Sequence, residues 1–204
     1  FAMGSTRTVM AQEASAWQIH QPASSLTFNT TKSGAPGVGG VTETMRFKSF
    51  KGGLSPKGQI ELTIDLTSVD SGIAIRDERL QNMFWNVAAH PSVIFVGQLS
   101  ADDMKNIGAG KASNTVMVEG QLTMADQAKP IKAALQVIPA QHKLYVSTRQ
   151  PIVINANDFG LNAGVEALRA IMGLNYLSTS APVTFALELN MASSSAKMMG
   201  DERK

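Results

Sequence analysis

The sequence predicts an all-β fold of about eight short antiparallel strands, closed as a barrel or packed as a sandwich, with two amphipathic helices between them. Three observations point there. Apolar and polar residues alternate with period two across residues 17–190. Turn chemistry separates these stretches at short intervals. The helical segments do not alternate with strands in the repeating manner of a parallel sheet.

Residues 26–30 and 41–50 read as the opening strands. The pattern is clearest over 59–66, where Ile60, Leu62, Ile64 and Leu66 share one face and Glu61, Thr63 and Asp65 the other. Val93, Phe95 and Leu99 repeat it, as do Val116, Val118 and Leu122, then Ile131, Leu135 and Val137. Residues 144–154 and the set Val183, Phe185, Leu187 and Leu189 complete the count. One wet and one buried face per strand implies antiparallel pairing. Gly52-Gly53, Pro56-Lys57-Gly58, residues 102–113 with Gly108 and Gly110, and Gln141-His142 read as turns or loops.

Two segments change period. Over 76–87, Leu80, Met83, Phe84 and Val87 fall at i, i+3, i+4 and i+7, an amphipathic stripe with Asp77 and Glu78 in the favourable first turn. Over 164–172, Val165, Leu168, Ile171 and Met172 share a side, and Gly173 follows as a C-terminal cap.

Composition excludes several classes. With 204 residues, one domain, or at most two small ones, is expected. Eighteen basic residues face sixteen acidic ones without a run of either sign, which argues against a nucleic-acid partner and a polybasic membrane anchor. Apolar runs fall short of the roughly 20 residues that span a bilayer, so no integral membrane segment is expected. Cysteine is absent, which removes disulfides, thiolate metal sites and a Cys nucleophile. The expected division is a tag remnant and processed N-terminal segment over 1–15, a barrel over 16–190 and a disordered polar tail over 191–204. The small polar residues 11–16 resemble those that follow a signal-peptidase cut, hence export is expected.

Catalytic patterns fail one by one. There is no G-x-S-x-G elbow, and His20, His90 and His142 lack metal-ligand spacing. Gly108 to Ser113 only superficially resembles a phosphate loop, because its first glycine would fall at Lys105 and no helix pattern follows. Asp158-Phe159-Gly160 has no kinase loops around it and reads as a strand ending in a turn. Asp102-Asp103 reads as a solvated pair. The expectation is therefore no catalytic residue, no metal and no enzyme. Inward-facing Ile, Leu, Val and Phe would build either a filled core or a hollow one, and the many Ala and Gly positions favour unfilled volume.

In order and spacing, several short segments resemble the YceI-like family of periplasmic lipocalin-type lipid-binding proteins. Trp17-Gln18-Ile19 with Ser24-Ser25-Leu26-Thr27-Phe28 resembles the family opening, and Phe47, Phe50 and Gly52-Gly53-Leu54 its F-x-x-F-x-G segment. Ser68 to Ser71, Ile75 to Leu80, Phe84 and His90 to Phe95 resemble its long central signature. Val118 to Thr123 with Lys129-Pro130-Ile131, and Asn157 to Leu161, resemble the later ones. The chain departs from the family at Ser24, at Thr31 or Lys32 and at Asn155, where His, His and Arg are usual, and residues 164–180 look like a longer insert, a helical lid.

The resemblance implies an eight-stranded antiparallel extended lipocalin-like barrel with one or two short helices. It further implies a pocket for an amphiphilic lipid of polyisoprenoid, quinone or fatty amide type, with no other cofactor. Phe28, Phe47, Ile60, Leu62, Ile64, Phe95, Val118, Leu122, Leu135 and Phe185 are the inward-facing ligand candidates. Leu80, Phe84, Leu168 and Met172 are candidates to close one end, while Arg76 and Asp77 are expected to cap and pin the first helix. Sequestration of lipophilic toxins or antibiotics, and quinone presentation to a membrane cytochrome, are the alternative roles. Family members can pair as homodimers, and Trp85 suits either such an interface or the core.

Overall fold

The computed structural model describes residues 16–192. The expectations for residues 1–15 and 193–204 lie outside the described residues. The chain runs β1 (Trp17–Ile19), β2 (Ser25–Ser33), β3 (Val41–Phe47), β4 (Phe50–Leu54), β5 (Gln59–Asp65) and β6 (Val69–Asp70). Helix α1 (Ala74–Arg79) continues as a π-helical turn (Leu80–Trp85) into β7 (Ser92–Gln98). Then come α2 (Ala101–Gly108), β8 (Ser113–Met124), β9 (Gln127–Ala140), β10 (Lys143–Thr148), β11 (Ile152–Asn155), α3 (Asn162–Ile171), β12 (Tyr176–Leu177) and β13 (Ser180–Met191).

Every pairing is antiparallel, and the sheet closes on itself. Along one edge β13 takes β10 (Leu187 opposite Val146) and β11 (Val183 opposite Ile152). Along the other it takes β1 (Leu189 opposite Ile19) and β2 (Val183 opposite Phe28). With β1 and β2, β3 and β4, β5 and β6, and β10 and β11 each counted as one interrupted stave, the result is an eight-stave up-and-down barrel. Closure pairs the long staves on both sides, the physical solution to exposed backbone donors and acceptors. The last stave reaches Met191, and the Ala192 N–H donates to the Ala16 carbonyl at 2.8 Å, so the barrel runs slightly past the expected end at 190.

Several elements differ from the sequence expectation. Residues 102–113 are not simply a loop, since α2 runs through them to Gly108. Ser100 caps it, its Oγ accepting the Asp103 N–H at 3.1 Å, Asp102 and Asp103 sit in the first turn, and Ile107 is buried against the barrel. Three short α-helices therefore lie among the described residues, where one or two were expected. Gly52-Gly53 is not a turn but part of β4, where a Cβ at Gly52 would meet the Glu61 carbonyl oxygen at 2.0 Å. The stretches 41–50 and 144–154 are each broken, at residues 48–49 and 149–151, which bends the staves around the barrel.

The first helix is α-helical only to Arg79. In the wider π turn that follows, positions i+4 and i+5 flank the face of residue i, so Leu80, Phe84 and Trp85 all reach inward. Trp85 is buried at 5% exposure, packed on Phe28, Phe47 and Phe84, and this removes it as an interface residue. Helix α3 crosses closely over this turn at Gly164, where a Cβ would stand 2.9 Å from Phe84 Cα. The β8–β9 turn uses Ala125 and Asp126, both at positive φ (49° and 60°), the backbone of a type I′ hairpin without its usual glycine.

Candidate functional site

The inward faces do not meet in the middle. A cavity of about 300 Å³ runs between two buried clusters. One cluster, under α2, holds Leu99, Ile107, Val116, Val118, Leu135, Val137 and Leu144. The other lies beneath α1, the π turn and α3. It holds Leu26, Phe28, Met45, Leu66, Leu80, Trp85, Val165 and Leu168. Both ends are thus capped by helices, and the walls between are almost entirely aliphatic and aromatic.

All fourteen residues singled out from the sequence line this cavity: Phe28, Phe47, Ile60, Leu62, Ile64, Leu80, Phe84, Phe95, Val118, Leu122, Leu135, Leu168, Met172 and Phe185. The strands place ten of them by alternation. Leu80 and Phe84 come from the π turn, and Leu168 and Met172 from α3 and its C-terminal end. Phe28 and Phe47 stack with centroids 5.2 Å apart, and Phe47 meets Trp85 at 5.8 Å, so one end of the cavity has an aromatic wall. The Phe95 ring lies over Gly97 and Gly120, which face each other across β7 and β8. At Gly120 a Cβ would stand 2.5 Å from Phe95 Cζ, so the ring occupies space that two missing side chains leave.

The wall changes character along β2 and β3. On β2 the inward series runs Leu26, Phe28, Thr30, Lys32, and on β3 it runs Phe47, Met45, Glu43. Both go from apolar to polar in the same direction. Lys32 Nζ and Arg76 Nη1 each approach Glu43 Oε2 to 2.7 Å. The Lys32 hydrogen bond, with Arg76 beside it, outweighs burial and holds the Glu43 carboxyl below the usual carboxylate range. Arg79, Ser178 and Thr179 line the cavity too, and the Ser178 N–H donates to the Thr31 carbonyl of β2 at 2.9 Å. Together they form a polar mouth.

Asp77 pins the first helix as expected, accepting the Ser71 N–H at 2.8 Å, but Arg76 reaches across to β3 and lines the mouth. Glu43 and Arg79 were invisible to a reading that tracked only apolar positions. The signal for Glu43 was the continuation of the β3 period-two series into a charged residue, whereas Arg79 ends helix α1 and belongs to no such series. Among the described residues no three His, Asp or Glu side chains gather as a metal site, and no helix is long and apolar enough to cross a membrane.

A closed antiparallel barrel with a greasy lumen and a polar mouth defines the class of hollow β-barrel domains in which a small apolar ligand can be enclosed. A family model, the YceI-like domain, matches residues 17–192, and the chain belongs to that family. Among solved structures it is similar to a polyisoprenoid binding domain from Saccharophagus degradans implicated in plant cell wall breakdown. That match has a TM-score of 0.79 and 29% identity, covering 88% of this chain and 100% of that one. Burkholderia cenocepacia BcnA shares the fold at a TM-score of 0.62 and 17% identity, over 83% of this chain and 98% of its own. A Campylobacter jejuni YceI protein does so at 0.53 and 18%, over 72% and 84%. No curated protein matches in a sequence search.

Proposed function

We propose that this chain is a non-catalytic carrier that holds one long-chain amphiphilic lipid, of polyisoprenoid, quinone or fatty amide type, inside its barrel. The observation that supports it most is the continuous apolar cavity closed by helices at both ends and polar only at its mouth. The similarity to a polyisoprenoid binding domain supports the same ligand class. Burying a methylene contributes about 0.8 kcal/mol, so ten give about 8 kcal/mol, comparable with the cost of immobilising a ligand. Only a long chain binds well on these terms, and a short one is lost. In this reading the carrier is exported and works in the periplasm, in keeping with the YceI-like family to which it belongs.

Native mass spectrometry of freshly purified protein tests it, and an adduct with the mass of a long-chain lipid is expected. Ala133→Trp, which fills the lumen from β9, should abolish uptake of a fluorescent fatty probe while the far-ultraviolet spectrum keeps its β signature. Wild-type protein that is consistently empty and takes up no lipid would overturn the carrier role.

A further inference from the structure

Within the carrier reading, on which this inference rests, we propose that the mouth is a binding site for the anionic head group of the lipid, a carboxylate or a phosphate. Charges at the mouth are unbalanced. Lys32, Arg76 and Arg79 line the cavity there with Glu43 as their carboxylate, leaving two positive charges in excess. Two of the cations share one oxygen, Glu43 Oε2. The third has nothing: the Arg79 guanidinium makes no hydrogen bond or ion pair among the described residues, although Arg79 is half-buried at the cavity wall.

The unpartnered Arg79 guanidinium offers a planar fork of donors suited to two oxygens of one anion. The Glu43 network fixes the other two cations in place. Lys32 comes from β2, Glu43 from β3 and Arg76 from α1, so three elements are held together at one rim of the lumen. Ser178 and Thr179 add hydroxyls on the same rim. The Ser178 hydroxyl donates to the Ser180 carbonyl at 2.8 Å, so the Thr179 side chain is the freer of the two to meet a head group. An acyl or prenyl chain inserted tail first would leave its head among these groups. A neutral head group would satisfy hydrogen bonds but would leave the excess charge unanswered.

The test uses the full chain and three competitors of equal length, hexadecyl phosphate, palmitate and hexadecanol, against a neutral lipophilic fluorescent probe. Hexadecyl phosphate or palmitate should displace the probe at least tenfold more strongly than hexadecanol, and added salt should shrink that ratio. The stronger of the two anions distinguishes a phosphate head from a carboxylate. In Arg79→Gln, which breaks no hydrogen bond or ion pair among the described residues, the ratio should fall to about two. Glu43→Gln removes the competing carboxylate and should raise it. Equal displacement by anion and alcohol in the wild type, or an unchanged ratio in Arg79→Gln, overturns the anionic mouth and leaves the carrier reading standing. If none of the three displaces the probe, both fall.

Discussion

At the scale of the residue, two positions show how close the fit is. Gly120 on β8 faces Gly97 on β7, and a Cβ there would meet the Val96 carbonyl oxygen at 2.3 Å and the Phe95 ring at 2.5 Å. Neither backbone nor a packed ring can retreat cheaply. Gly120→Ala should therefore destabilise by about 1–3 kcal/mol, read as a lower urea midpoint with unchanged m-value. Asp70 accepts from Arg46 Nε at 2.9 Å and Nη2 at 2.7 Å, and from the Gly72 N–H at 3.0 Å. The Arg46 bonds, above all, lower its pKa to about 2, below its unfolded value. A depressed carboxylate stabilises above the unfolded pKa and loses that contribution as pH falls through the folded one. The stability gap between wild type and Asp70→Asn should thus be full near pH 6, shrink below about pH 4 and be gone once the pH is below about 2. A gap that does not change with pH would refute the assignment.

Among the elements, α2 shows how a helix too short for a clear periodic signal is made from its ends. Ser100 Oγ accepts from the Asp103 N–H and donates to Asp103 Oδ2 at 2.6 Å, a reciprocal cap, and Ile107 anchors the far turn under the barrel. Ser100→Ala should cost about 1 kcal/mol in urea melts. Because α2 closes one end of the lumen, the same variant should speed hydrogen exchange in residues 101–108 well before it affects the β8–β9 amides. The helices at the other end work differently. The π turn aims Leu80, Phe84 and Trp85 at the cavity, and α3 rides over it at Gly164 with no room for a side chain.

For the whole molecule, the hollow is the feature everything else serves. The two tryptophans report on it separately, since Trp85 lines the lumen and Trp17 sits on β1 against the α2-side cluster. In a Trp17→Phe variant, emission comes from Trp85 alone. A fatty acid brominated along its chain should quench that emission by more than half at saturation, while an unbrominated one of equal length shifts it without loss. Quenching absent in the presence of proven binding would place the chain elsewhere.

The all-β class, the order of strands and helices and the apolar face of nearly every stave were written in the alternation of residues such as Ile60, Leu62 and Ile64, because burial on one side of a pleated strand leaves a local trace. Family membership was legible in the spacing of short segments. Local pattern did not reveal α2, whose caps lie in a stretch of turn-like residues, or the in-strand Gly52, which close approach of β5 requires and no periodicity announces. Nor did it reveal that the lumen stays open, or that Lys32, Glu43, Arg76 and Arg79 share one rim. Those depend on how many staves close the ring and on contacts between residues up to 33 positions apart (Glu43 to Arg76), which only the closed barrel brings together.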